Sequence, residues 1–240
     1  MPLTFSSSPS DWTAALNKHT AALSLTRKPT EMIPLDRWIH IILPQEISAR
    51  TPPSLTGAEL SKIMTWKLLK GKFRPGLQKY VDSLTPESVT AASKISFAAL
   101  HSGNLRAAIE ALTIPLKGVG PATATAVLAV ISPQTCAFMN DQALESVLKS
   151  RKYTLTEALE LTKACTIQAN KLNKAIEVVA GKQGVKSDAG FQLQGGLWNA
   201  NAVALALWAD AVATSVTTTA TTATTATTAT ISSKKRKRNT

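Results

Sequence analysis

The sequence predicts an all-α protein, a multi-helix orthogonal bundle that contains a helix-hairpin-helix. Three observations carry that expectation. Apolar residues recur at spacings of three and four, as in Leu155, Ala158, Thr162, Cys165, Ala169, Leu172 and Ile176. Helix-start signals recur too: Thr56-Gly57-Ala58-Glu59 and Thr154-Leu155-Thr156-Glu157 have the form of capping boxes, and Thr85-Pro86 is a cap with proline at the first helical position. Nowhere do polar and apolar residues alternate with the period of a strand. At 240 residues, 44% of them apolar, the chain is long enough to bury a sizeable core.

Taken in order, residues 1–10 are Ser/Pro-rich and expected to be disordered, and a single helical domain is expected over 11–213. Asp11 is positioned to cap a helix from Trp12 to about Leu25, with Trp12, Ala15, Leu16, His19 and Leu23 on its apolar side. Leu35–Ile42 is an apolar helix carrying Trp38, broken by Pro44, and Arg50–Ser54 is a linker. A helix from Thr56 to about Leu69 turns Leu60, Ile63, Met64 and Leu68 inward. It runs into Trp66–Pro75, the most basic stretch outside the tail. A long helix follows Thr85 to about His101 through Val89, Ala92, Ile95, Ala99 and Leu100, and Gly103 and Asn104 break it. Leu105–Leu112 and Pro121–Ile131 are helices on either side of a glycine turn. Asn140 or Asp141 caps a helix to about Lys149, and the Thr154 box opens the long amphipathic helix. A polar loop spans Gly181–Gly196, and Asn199 caps a last helix through Val203, Leu207 and Trp208 to Val212. Residues 214–240 read as a disordered tether of Thr-Thr-Ala repeats ending in Lys234, Lys235, Arg236, Lys237 and Arg238. That run has the form of a nuclear localisation signal, so an import receptor and the nucleus are the expected partner and location.

The formal net charge is +12, and the body stays basic without the terminal run. A basic body favours polyanions, nucleic acid first. No secretory signal and no apolar stretch of membrane-spanning length is apparent, so no membrane partner is expected. Cys136 and Cys165 are too few for a cysteine-built zinc or iron–sulfur site and read as buried thiols. His19, His40 and His101 share no metal-ligand spacing, so neither metal nor cofactor is expected.

The candidate binding element is Leu116-Lys117-Gly118-Val119-Gly120-Pro121-Ala122-Thr123-Ala124. Two glycines around Val119 can expose N–H groups with no side chain in the way, at a helix start whose dipole favours an anion. A phosphate held this way makes no base contact, so binding would be independent of sequence. Lys117 adds a cation and Thr123 a hydroxyl. Lys67, Lys70, Lys72 and Arg74 form a second basic strip, with Trp66 and Phe73 interleaved and expected in the core. A tight interhelical turn with no ligand remains an alternative for the glycine pair.

The segment resembles the Leu-Pro-Gly-Val-Gly-x-x-Thr-Ala signature of the helix-hairpin-helix DNA glycosylase superfamily (HhH-GPD), and Asp141 falls at the interval of that superfamily's aspartate. The likeness covers roughly Leu60–Leu148 in helix order. The chain is also similar, over most of 30–212, to eukaryotic proteins with a Trp-Lys-Leu-x-Arg-Gly-Lys-Phe-Arg-Pro segment and the same hairpin; that likeness implies a fold and a context, and no activity. The superfamily resemblance implies a duplex-DNA partner and a role in DNA repair. It implies a part for Asp141 in stabilising the cationic sugar as a base departs. Ala122 stands where bifunctional members carry a lysine, so no lyase step by that route is implied. Glu145 stands near a position where the superfamily has arginine. The readings that follow are a DNA-binding protein without robust glycosylase activity, a monofunctional glycosylase using Asp141, and a helical interaction module. A purely structural role for Asp141 is a helix N-cap.

Overall fold

The computed structural model describes residues 3–72, 74–180 and 196–215, and every regular element among them is helical. Helices α1 (Pro9–Asn17) and α2 (His19–Ser24) meet at Lys18, where one longer helix was expected. Residues 3–10, expected to be disordered, join the fold from Leu3 onward. Leu3 is buried, and its N–H donates to Asp210 Oδ2 at 2.9 Å. The helix starts earlier because Ser8, not Asp11, is its cap. Ser8 Oγ accepts from Asp11 N, and the Asp11 carboxylate accepts from Ser8 N, a complete capping box.

From Pro29 to Ser48 the chain is helical throughout: α3 (Pro29–Arg37), a π-helical turn (Trp38–Ile42) and α4 (Leu43–Ser48). Pro44 does not break it. Leu43 N–H donates to the Trp38 carbonyl five residues back, and Pro44 lies in the first turn of α4, where no N–H is needed. The Thr56 box opens α5 (Gly57–Lys70) as expected, with Leu60, Ile63, Met64 and Leu68 buried. A helix not anticipated, α6 (Pro75–Asp82), starts directly after the basic strip.

Helix α7 (Pro86–His101) buries Val89, Ala92, Phe97 and Leu100 together with Ser93 and Ser96. Those hydroxyls are satisfied by the Leu55 N–H at 2.8 Å and the Ala108 carbonyl at 2.7 Å. Polar residues therefore occupy part of the inner face, and Ile95, expected there, is 65% exposed. Helices α8 (Leu105–Thr113) and α9 (Pro121–Ile131) flank the glycine turn and pack on each other. Every residue from Ala122 to Val130 is buried, and α9 touches α4, α5, α7, α8 and α11, so it is the central helix. Its Ala- and Thr-rich composition allows that close packing from all sides.

After α9, residues 132–140 form a strap, stitched down by three side chains. Met139 N donates to Thr125 Oγ1, Ala137 N to Thr162 Oγ1 and Phe138 N to Asn201 Oδ1, at 3.1–3.3 Å. The strap delivers α10 (Asp141–Leu148), followed by α11 (Leu155–Ala180), which begins at the Thr154–Glu157 box. The last helix, α12, spans 200–215 behind an Asn199 cap, and all of 200–210 is buried. Cys136 and Cys165 are buried thiols. No described helix is long and apolar enough to cross a membrane.

Candidate nucleic-acid interface

The hairpin turn is built by one obligatory glycine and one open one. Gly118 has φ +88°, and a Cβ there would meet Tyr80 Cβ at 2.6 Å, so only glycine fits against α6. Gly120 differs from expectation. Its φ is −93°, accessible to any residue, and a Cβ would meet nothing within 4 Å. It is exposed and caps α9 with no side chain, and Pro121 brings no N–H. The Gly120 and Ala122 N–H groups have no hydrogen-bond partner among the described residues. Val119, by contrast, points its side chain into the core and gives its N–H to the Leu116 carbonyl at 3.0 Å. It holds the turn rather than a ligand.

Beside these bare amides lies a cleft of about 210 Å³. Its walls bring together Lys67, Gly71, Lys72 and Arg74 from the end of α5 and the segment after it, Gly120–Thr123 from the cap and first turn of α9, Phe138–Asn140 from the strap, Asp141 at the head of α10, and Tyr153. The strap explains how a residue far along the chain arrives here: its hydrogen bonds to α9, α11 and α12 end at Asn140. Asn140 Oδ1 accepts from Ala143 N at 2.8 Å, and its Nδ2 donates to the Ala204 carbonyl at 3.2 Å. Asn140 is thus the cap of α10. Asp141 is released from that role and turns into the cleft, where its Oδ1 accepts from the Tyr153 hydroxyl at 2.6 Å.

The cleft is electrostatically loaded. Lys67 is half-buried and makes no hydrogen bond or ion pair among the described residues. Desolvation and the Arg74 guanidinium pull its ammonium down to about 8, against the opposing pull of the Asp141 carboxylate. Desolvation and the bond to Asp141 push the Tyr153 phenol up to about 12, so it remains a donor at neutral pH. The Arg74 guanidinium lies 5.3 Å from the Tyr153 ring centroid, and Lys117 Nζ 4.8 Å from that of Tyr80. Lys72, Arg74, Lys117 and Gly120 are all exposed on this side of the molecule. Glu145 is paired with Arg151 Nε at 3.2 Å, so its negative charge is offset.

Two of the expected contacts are corrected. Lys70 does not face solvent. Its side chain is 1% exposed, and Nζ lies 3.2 Å from both Asp36 Oδ1 and His19 Nε2, over the Trp208 ring at 3.7 Å. In the last turn of α5, it is drawn inward by the buried Asp36 carboxylate that it neutralises. Thr123 is also fully buried. Its Oγ1 faces no partner among the described residues, because the third position of α9 points inward from the cleft floor. Trp66 is core as expected, with Nε1 donating to Asp36 Oδ1 at 2.8 Å. Phe73 and Lys234–Arg238 lie outside the described residues.

Sequence reasoning missed Tyr153 and the buried group of His19, Asp36, His40 and Lys70. Tyr153 carried one available signal, its place just ahead of the Thr154 box and twelve residues after Asp141. The buried group carried only the four-residue spacing of Asp36 and His40, since it joins four separate elements. No family model, curated protein or solved structure matches the chain.

Proposed function

We propose that the protein binds duplex DNA through its backbone without sequence preference, and admits one unstacked nucleotide to the cleft between α5, α9 and Asp141. The observation that carries this reading is the convergence of bare amides at Gly120 and Ala122 with Lys67, Lys72 and Arg74 around one cavity. An anion at the start of α9 satisfies two orphan donors and meets the positive end of the helix dipole. The exposed cations extend that contact along a polyanion. Phe138 and Tyr153 supply a ring wall for a planar base, and unstacking one nucleotide costs only a few kcal/mol.

A second reading, a monofunctional DNA N-glycosylase, is favoured by the release of Asp141 from capping. A carboxylate fixed by the Tyr153 hydroxyl in a confined cleft opposes the positive charge that grows on a sugar as its base leaves. Ala122 offers no amine, so nothing at that position supports lyase chemistry.

The test is duplex affinity against salt. With three or four phosphates neutralised, affinity falls roughly 40- to 150-fold between 50 and 200 mM salt. Lys72→Ala lowers the slope by about one, and Gly120→Val, which the backbone tolerates, weakens binding about tenfold by covering the amides. Salt-independent binding, or full affinity in Gly120→Val, overturns the DNA reading. Base release from damaged duplexes that disappears in Asp141→Asn, with affinity retained, establishes the second reading.

A further inference from the structure

The chain also folds two imidazoles and a carboxylate around one buried point, beside the Lys70 end of α5. His19 comes from α2, Asp36 from the last turn of α3 and His40 from the π-helical turn. Their ligand atoms all lie within 4.8 Å of one another. His19 Nε2 is 3.7 Å from one Asp36 oxygen and His40 Nε2 is 3.7 Å from the other. A tetrahedral ion with bonds near 2.0–2.1 Å sets its donors about 3.3–3.4 Å apart. Each imidazole–carboxylate separation would therefore close by a few tenths of an ångström, and the full 4.8 Å span of the group by up to about 1.4 Å.

Its construction is that of a ligand set. Asp36 and His40 are four residues apart and share one helix face, and the wider π turn, a feature often found at functional sites, carries His40. Trp66 Nε1 orients the carboxylate from behind, as an outer-shell partner does. A cavity of about 330 Å³ lined by His19, Asp36, His40, Thr20 and Ile33 provides an entry path and room for a water as fourth ligand. One cation is already held here: the Lys70 ammonium lies 3.2 Å from His19 Nε2 and 3.2 Å from Asp36 Oδ1. The cage thus selects positive charge, and Lys70 uses the same lone pairs a metal would take.

We propose that His19, Asp36 and His40 form a divalent transition-metal site of the zinc class, which Lys70 guards by competing for its donor atoms. Two imidazoles and one carboxylate with an open position suit zinc or cobalt(II). Binding breaks the Lys70 hydrogen bonds to His19 Nε2 and Asp36 Oδ1 and replaces them with metal–ligand bonds, and no covalent bond changes. The site is independent of the DNA reading.

The test uses the full chain, stripped with chelator and titrated with Co²⁺ while its visible ligand-field bands are followed. Wild type is expected to bind one ion with the bands of a nitrogen–oxygen site and no sulfur charge-transfer band. His19→Gln and His40→Gln each weaken binding about tenfold or more. Lys70→Met, by removing the competitor, tightens it about tenfold. If Lys70→Met does not fold alone, its folding becomes cobalt-dependent. Absence of binding in wild type, equal binding in His40→Gln, sulfur charge transfer, or a Lys70→Met that neither binds more tightly nor folds with metal overturns the proposal.

Discussion

Gly118 and Gly120 are one residue apart, and their backbones make opposite demands. Gly118 lies in the left-handed region with Tyr80 pressed against it, so Gly118→Ala should lower unfolding stability by about 2 kcal/mol or more. Gly120→Ala, with ordinary φ and open space, should cost about 1 kcal/mol or less. Denaturant melts of the pair measure the contrast, and equal losses would mean that the turn is built differently. Lys67 yields a second residue-level expectation. Its native value of about 8 lies below the 10.5 of the free side chain, so between those values the unfolded chain keeps a proton that the native chain has released. Its contribution therefore makes stability rise with pH across that window. Lys67→Met should remove that rise, seen as a flatter pH profile of unfolding from pH 8 to 10.5 than wild type gives. At this scale Asp141, Lys67, Lys72 and Arg74 were legible in the sequence, because charge and motif spacing are local. Lys70 was misread for the same reason: a lysine among lysines looks exposed until the carboxylate it neutralises, from another helix, comes into view.

Among the elements, α10 shows how a cap positions a cleft residue. Asn140 holds the helix start and, through Nδ2, the strap and α12. Asn140→Ala should cost about 1–2 kcal/mol, from the cap and a carbonyl left without its donor, and should loosen Asp141. Differential hydrogen exchange of residues 138–145 reads both effects; an unchanged exchange rate at Ala143 would contradict this assignment. Helices with reciprocal caps were readable in advance, since Thr56–Glu59 and Thr154–Glu157 carry their own start signal. Helix α6 and the π turn were not. The first hides behind a charged strip with Pro75 at its head. The second arises from a widened ladder whose apolar spacing matches an ordinary helix.

For the molecule as a whole, α12 closes the core, with every residue from 200 to 210 buried. Trp208 is fully buried, covers the Lys70 ammonium and donates from Nε1 to the Lys70 carbonyl at 3.3 Å. Trp208→Ala should cost about 3–5 kcal/mol, a loss of roughly 6–20 °C in melting temperature for a domain of this size. A variant that melted within a few degrees of wild type would show that the tryptophan is not part of the common core. Composition and helical periodicity made the all-α architecture legible. The convergence of His19 and Lys70 on Asp36 and His40 depends on tertiary packing, and only the four-residue spacing of Asp36 and His40 is local. Asp210 draws out one last property of this arrangement. Its carboxylate accepts from the Leu3 N–H and pairs with Lys18 at 2.7 Å, closing a contact across 207 positions of chain. At about 5–20 residues added per second, the N-terminal segment waits roughly 10–40 s for its partner to be synthesised. Leu3 is therefore secured only after Asp210 has been made, long after its own synthesis.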